Sequence, residues 1–415
     1  MTDFQSTSRG ASCRSRRPLR ICHLAYTFYE ADSRVIRYAE SLVEQGAEVD
    51  VIALRRPSQP RLGYSRGVRV FRVQRRVVTE KSPWTYLAKI LWFFAQASAL
   101  LAFLQLRKRY DIVHVHNVPD FLIVAALVPK LMGSRVILDI HDILPELYAT
   151  KFGASSDSAV FRWLALVERL SCRLADHVIV ANDLWREKLI QRSVPAVKCT
   201  TMLNYPDLRL FRPLAERAKR GDAKFIFLYP GSLNYHQGVD IAIKAFAIVK
   251  DRMPNAEFHI YGEGPARLEL ERATSQCGLH GRVKMMDLVS IDEISRVISS
   301  ADVGVVPKRA EGFGNEAFST KILEFMACGV PAIVSRTRID DFYFDDGLVR
   351  FFTPGNEEDL AEKLVEAYGN HGDLEWARRA QKFAFHNSWH ERAIGYERII
   401  DSLTARRSCH APTTD

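Results

Sequence analysis

This sequence predicts an α/β protein built as two doubly wound, parallel-sheet domains. Apolar runs alternate with stretches of helical periodicity, beginning with Leu19–Ala25, Val35–Gln45 and Glu48–Leu54, which is the strand, helix, strand order of a βαβ unit. That order restarts at Phe225–Tyr229, beyond a charged stretch that reads as a linker. The chain has 415 residues, enough for two cores of ordinary size.

Composition narrows the class. An apolar fraction of 47% and a charged fraction of 26% are those of a soluble globular protein. The 58 basic and 49 acidic residues leave a net charge of +9, which favours anionic partners such as a nucleoside diphosphate or an anionic lipid. Nothing resembles a nucleic-acid-binding motif, so no nucleic-acid partner is expected. The seven cysteines never form a C-x-x-C pair, which points to a reducing compartment and away from structural zinc. Residues 1–18 are rich in Ser, Arg and Gly without an apolar core and read as a disordered basic tail, as do 406–415 at the other end.

The first domain is assigned to 19–208. Gly46 closes its first helix, and the absence of G-x-G-x-x-G argues against a dinucleotide cofactor. In the loop Tyr26–Arg34, Arg34 either contacts an anion or starts the helix. Trp84–Leu106 is the most hydrophobic segment, broken by Lys89, Gln96 and Gln105 and followed by Arg107, Lys108 and Arg109. It falls short of the roughly 20 consecutive apolar residues of a spanning helix. Packing on the sheet, lying in a membrane interface with its basic end at anionic headgroups, and crossing the membrane are the competing readings. Two strand-like runs, Asp111–Asn117 and Val136–Asp142, each end in a polar cluster. Adjacent strand ends converge in a doubly wound sheet, so His116, His141 and Asp142 could meet in one cleft, where an imidazole could handle a hydroxyl proton or bind a sugar. A metal held by two histidines and a carboxylate is the rival use. His114, alternating with Val113 and Val115, reads as structural. Ala175–Asn182 is the next strand, entering a helix near Asp183, and the boundary falls between Asn204 and Lys224, with Glu216–Arg220 in the linker.

The second domain is assigned to 209–385. After its first strand, Pro230–Asp240 is a glycine-containing loop feeding the helix Ile241–Val249, a phosphate cradle in principle. Ala256–Tyr261, Arg282–Met286, Pro331–Ser335 and Leu348–Phe352 are further strands, and a helix begins near Asn356. The chemically committed stretch is Glu311–Pro331. Ser319 and Thr320 suit a helix N-cap, Ile322, Leu323, Phe325 and Met326 give an apolar face, and Gly329 with Pro331 stops the helix. Thr320, Lys321 and Glu324 then share one face at a helix N-terminus, offering N–H groups, a hydroxyl and a cation to a phosphate, and a carboxylate to a sugar diol. The bland alternative is an i,i+3 surface pair of Lys321 with Glu324.

Glu316 and Glu324 have seven residues between them, with Gly312-Phe313-Gly314 before and Met326-Ala327-Cys328-Gly329-Val330-Pro331 after. That wording resembles the donor-site signature of the retaining GT-B glycosyltransferases of family 4, in its bacterial surface-polysaccharide branch. The resemblance runs from Leu19 to about Leu403 and implies two Rossmann-like domains, with the helix of 386–405 crossing back onto the first. It implies that Glu324 holds the ribose of a nucleotide-sugar donor, that Glu316 acts near the donor sugar, and that His141, in a loop matching the acceptor side, contacts sugar or acceptor. Arg34, His116 and Asp142 fall on that acceptor side. Gly231, Ser232, His236 and Gly262 fall in loops against the donor phosphates, with Ser319, Thr320, Lys321, Lys308 and Arg309 completing the site. The sequence departs from the family where it has Ser232 and Gln237 in place of the usual Arg and Lys. Lys308, Arg309, Lys321 and His236 are the candidates to compensate. The resemblance further implies retention of configuration, with the leaving phosphate taking the acceptor proton, and no cofactor or metal, the nucleotide sugar being substrate. It also implies a glycan or polyprenyl-linked acceptor, with the enzyme cytoplasmic and Trp84–Leu106 touching the inner membrane face. A sugar-nucleotide epimerase, a polymerising glycogen-synthase-like enzyme and a non-catalytic scaffold are the alternatives.

Overall fold

A computed structural model describes residues 17–76, 83–153, 155, 157–213, 224–370 and 374–408. The linker run Glu216–Arg220 and most of both predicted tails lie outside the described residues. Two ends of those tails are ordered: Arg17 holds Asp111 through two hydrogen bonds of 2.8 and 3.1 Å, and the last helix continues to Ser408.

The first sheet contains β1 (Arg20–Ala25), β2 (Glu48–Arg55), β3 (Leu62–Ser65), β4 (Val68–Arg75), β5 (Ile112–His116), β6 (Arg135–Ile140), β7 (His177–Val180) and β8 (Cys199–Thr201), in the order β3-β4-β2-β1-β5-β6-β7-β8. Its helices are α1 (Ser33–Glu44), α2 (Pro83–Lys108), α3 (Leu127–Leu131), α4 (Leu144–Phe152), α5 (Ala159–Leu174) and α6 (Asp183–Arg192). The second sheet contains β9 (Phe225–Pro230), β10 (Ala256–Tyr261), β11 (Val283–Met286), β12 (Val303–Val306), β13 (Ala332–Ser335) and β14 (Arg350–Phe352), in the order β11-β10-β9-β12-β13-β14. With it go α7 (Val239–Val249), α8 (Arg267–Gln276), α9 (Ile291–Ser300), α10 (Thr320–Ala327), α11 (Arg338–Tyr343), α12 (Glu357–Gly369) and α13 (Leu374–His386), and α14 (Trp389–Ser408) ends the fold. These are the two doubly wound, Rossmann-like domains that the sequence predicts.

The central strands are buried on both faces, which is why they read as unbroken apolar runs. Every strand pair is parallel except β3 with β4, a hairpin at the sheet edge that the sequence reading passed over. Its turn places Arg66 and Gly67 at φ of 45° and 83°. Strand order reverses between β1 and β5 and between β9 and β12, so the loops leaving these strands line the crevices where such sheets bind ligands. Helix starts are set by polar caps: Asp32, Asn182 and Asn356 each accept an N–H of the first turn, and Glu357, Glu358 and Asp359 face the positive end of α12.

The long helix α2 is apolar and long enough to cross a membrane, contrary to the sequence reading that it falls short. Here it packs on the sheet, burying Phe93, Ala97 and Leu101 among the strands' side chains while Trp84, Leu91 and Trp92 stay exposed. Helix α14 returns to the first domain. Its Tyr396 is fully buried, with its ring 4.4 Å from that of Tyr38 and its hydroxyl 2.9 Å from His114 Nδ1. His114 is accordingly part of the core, not of a site.

Candidate active site

On the second domain the site begins where β9 ends. Gly231 and Gly262 have φ of +150° and +146°. A Cβ on Gly262 would lie 1.9 Å from the Gly231 carbonyl oxygen, and one on Gly231 would lie 2.8 Å from Lys321 Cε. Only glycine lets these loops and the lysine come so close. Lys321 therefore reaches into the loop from α10, its Nζ 3.1 Å from Gln237 Oε1 and 5.1 Å from the centre of the Tyr229 ring. The Tyr229 hydroxyl donates to the Ser232 carbonyl at 2.8 Å and holds the loop beneath the ammonium. Burial and then the charge of Lys308 bring the Lys321 pKa down to about 8.

Ser319 is the N-cap of α10, and its buried hydroxyl has no partner among the described residues. Thr320 opens the first turn, and one turn further in Glu324 is half-buried. No Lys321–Glu324 ion pair forms among the described residues, so the bland surface-pair reading does not hold. Burial raises the Glu324 pKa, and Arg37 of α1 and Lys321 oppose it. Arg37 faces this acid from the first domain. It is 6% exposed, its Nη2 has no partner among the described residues, and burial followed by the Arg34 charge lowers its pKa to about 10.

Two predicted phosphate ligands are already committed. Lys308, 2% exposed, pairs with Asp340 at 2.7 Å and donates to the Ala317 carbonyl at 2.9 Å. Withdrawing such an ammonium would strand Asp340 in the core, so Lys308 is structural. Arg309 is bonded to Asp240 at 2.6 Å and stacked 4.1 Å from the Tyr235 ring centre, bracing the loop from outside. His236 is favoured neutral: burial, then Lys321 and Lys308, lower its pKa. Of the four proposed compensating groups, Lys321 is the one whose charge enters the loop.

Glu316 follows the turn Gly312–Asn315 and is gripped from both domains: its carboxylate lies 2.5 Å from Lys188 Nζ of α6 and 3.0 Å from Arg338 Nη1 of α11. Its carbonyl accepts Asn182 Nδ2 at 3.0 Å, and the neighbouring Phe313 N–H donates to Thr150 Oγ1 of α4 at 2.7 Å. This loop is thus one surface through which the second domain touches the first, and Tyr343 of α11, whose hydroxyl accepts the Asp183 N–H of α6 at 2.8 Å, is another.

On the first domain the carboxylate that gathers the cluster is Asp139, not the predicted Asp142. Arg34 donates to both its oxygens at 2.7 and 2.9 Å and to the Met202 carbonyl at 2.8 Å. It is therefore an internal counter-charge, not the anion contact considered from the sequence. His116 Nδ1 and His141 Nε2 lie 3.2 and 3.0 Å from Asp139 Oδ2, and 3.2 Å from each other. Behind them His23 Nδ1 lies 3.0 Å from His116 Nε2. Burial alone would raise the Asp139 pKa, yet Arg34 and the histidines hold it well below the carboxylate range. His116 is buried, and burial lowers its pKa, so it supports His141 from within. His141 is 20% exposed in its side chain, and its Nε2 faces Asp139 while Nδ1 has no hydrogen bond among the described residues. Asp142 accepts Asn117 Nδ2 on its carbonyl at 2.7 Å and leaves its carboxylate out of the cluster.

Among the described residues two groups, His23 with His114 and His116, and His116 with Asp139 and His141, bring ligand atoms within 4.8 Å of one another and could hold a metal. In the second, Arg34 already supplies the positive charge beside Asp139, and hydrogen bonds account for the short contacts.

The family description "Glycosyl transferase 4-like domain" matches residues 31–204, and "Glycosyl transferases group 1" matches 224–370. The chain is 22% identical over 386 residues to the phosphatidylinositol N-acetylglucosaminyltransferase gpi3 subunit of Schizosaccharomyces pombe, covering 91% of this chain and 78% of that protein. The fold is similar to that of sucrose-phosphate synthase from Thermosynechococcus elongatus, with a TM-score of 0.77 at 18% identity over 94% of this chain and 100% of that one. It is also similar to Anabaena HepE in complex with UDP-glucose, with a TM-score of 0.67 at 17% identity over 93% and 100% of the two chains.

Proposed function

Since this chain belongs to the GT-B glycosyltransferases of the group 1, family 4 type, we propose that it moves a sugar from a nucleotide-sugar donor to a lipid-linked glycan at the cytoplasmic membrane face, with retention of configuration, in cell-surface polysaccharide synthesis. The observation that carries the donor site is the Lys321 ammonium lodged in the glycine loop, one helical turn from Glu324. In this reading the donor diphosphate lies between the loop 231–238 and the N-terminus of α10, close to Lys321, and Glu324 accepts the ribose hydroxyls. Glu316, fixed by Lys188 and Arg338, positions the donor sugar, and His141 presents Nδ1 to sugar or acceptor. The bond from the anomeric carbon to the leaving phosphate breaks, the acceptor oxygen bonds that carbon on the same face, and the acceptor proton passes to the leaving phosphate. No metal or cofactor is assigned to this step. Closure of the two domains excludes water and favours transfer over hydrolysis.

The exposed side of α2, with Arg107 and Arg109 at its end, is assigned to the membrane surface that carries the acceptor. The gpi3 subunit of Schizosaccharomyces pombe, by its name a phosphatidylinositol N-acetylglucosaminyltransferase, is in keeping with a lipid acceptor.

A panel of nucleoside diphosphates and sugar nucleotides in a thermal-shift assay, followed by incubation of the stabilising donor with and without acceptor lipid, tests the proposal. Release of nucleoside diphosphate only with acceptor supports transfer. Conversion of the nucleotide sugar alone would indicate an epimerase. The scaffold reading is motivated by Ser232 and Gln237, and binding without turnover would establish it.

A further inference from the structure

Helix α2 is not alone in turning apolar side chains outward. The turn Asp120–Ala126, α3 and α5 pack on the same side of the first sheet and continue its exposed face through Val128, Leu131 and Trp163. Leu131 is 86% exposed and Trp163 59%. On α5, Trp163, Leu166 and Leu170 are exposed, and Arg162, Arg169 and Arg173 alternate with them. Its single acid, Glu168, turns inward onto Arg192. A solvated helix ordinarily carries both signs on its outer face; α5 carries one sign and a row of large apolar groups.

Where α5 ends, it and the segment Ile190–Lys198 border an open surface cavity of about 500 Å³, lined by Arg169, Arg173, Arg192 and Lys198 among others. Arg192 is consumed by Glu146 and Glu168. Arg169 spends Nε on the Arg192 carbonyl at 2.8 Å, and its terminal nitrogens have no ion pair among the described residues. Arg173 and Lys198 have no carboxylate partner among the described residues. Exposed Val197 stands beside Lys198 at the rim.

We propose that this cavity binds the phosphate of an anionic lipid headgroup in a bilayer on which α2 and α5 lie together. Three unspent cations around one cavity suit a phosphate. The Trp163, Leu166 and Leu170 row on the helix that supplies two of them selects a lipid over a free ion, because a soluble phosphate gains nothing from an apolar border and an interfacial tryptophan does. The inference rests on the membrane contact proposed for α2.

The test uses the full chain and sedimentation with vesicles of phosphatidylcholine, alone or mixed with phosphatidylglycerol. Wild type binds the mixed vesicles and is released by salt. The Arg173→Glu/Lys198→Glu double variant loses roughly 30-fold or more in affinity, as expected from removing two surface cations, and keeps its nucleoside diphosphate thermal shift. Trp163→Ala weakens binding without removing its salt dependence. Wild-type affinity in the double variant, with binding lost in Trp92→Glu, overturns the cavity site and leaves the α2 contact standing. Stabilisation of wild type by glycerol phosphate, dependent on Arg173 and without vesicle binding, overturns the lipid assignment. Absence of wild-type binding to either vesicle overturns both, while the nucleotide panel reports on the transferase reading separately.

Discussion

Nζ of Lys321 lies 3.1 Å from Oε1 of Gln237, so the residue standing where related enzymes keep a lysine receives one from a neighbouring helix. One ammonium thus stands at Gln237, supplied from α10 and not from the loop's own sequence. Lys321→Ala should lower kcat by about 100- to 1000-fold, the usual effect of deleting one preorganised group from a transition-state site. Gln237→Lys in that background should recover part of the loss. Steady-state release of nucleoside diphosphate measures both, and an active Lys321→Ala enzyme would place the diphosphate elsewhere.

Protonation of the same lysine sets a pH limit. Burial holds its pKa near 8, so the unliganded enzyme loses the ammonium as pH rises through that value, well before an exposed lysine would. For the donor, kcat/KM should fall above about pH 8 with a single ionisation. Bound diphosphate favours the charged form, so the same limb in kcat should lie higher. A flat profile to pH 10 would exclude Lys321 from donor binding.

Glu324 is assigned to ribose, which ties it to affinity. A nucleoside diphosphate at about 100 times its Kd should stabilise wild type by about 2.7 kcal/mol, and Glu324→Ala should lose most of that shift. An undiminished shift in the variant would remove the assignment.

Glu316 is expected to behave oppositely. Glu316→Gln weakens both ion pairs while keeping the shape, and should cost about 100-fold or more in kcat with the nucleotide shift retained. Lys188→Ala should reproduce part of the defect by loosening the carboxylate. Calorimetric nucleotide binding set beside turnover separates the two roles, and parallel losses in both would contradict this division.

Asp139 holds Arg34 inside the first domain, and Asp139→Asn would leave that guanidinium buried without its counter-charge. The expected loss is about 3–5 kcal/mol, or roughly 10 °C in Tm for a domain of this size. Because the folded-state pKa of Asp139 is depressed, its stabilisation is complete above the ordinary carboxylate range and is lost as pH falls toward the folded value. The Tm gap between variant and wild type should therefore narrow on acidification.

The order of strands and helices was legible because central strands of a parallel sheet are unbroken apolar runs and the helices between them carry a 3.6-residue period. The edge hairpin was passed over, although Val68–Arg75 alternates apolar and polar residues as a half-buried strand should. Spacing put Lys321 and Glu324 on one face of α10, and the Arg37 that looks onto that acid comes from the other domain. What spacing could not reveal was pairing. Lys308 and Arg309 are adjacent to the site in sequence, yet Asp340 and Asp240, distant along the chain, claim them. Asp139 did leave a signal: a lone acid inside Val136–Ile140 must find a buried cation.

The last helix crosses to the beginning of the molecule, and this limits how the enzyme can be dissected. A fragment cut at the linker would carry the whole first sheet but leave the rings of Tyr38 and His114 bare where Tyr396 now covers them. The closing segment belongs by packing to the half it is furthest from in sequence. A free-standing first domain would need α14 grafted back, and a nascent chain cannot complete that domain until α14 itself has been made.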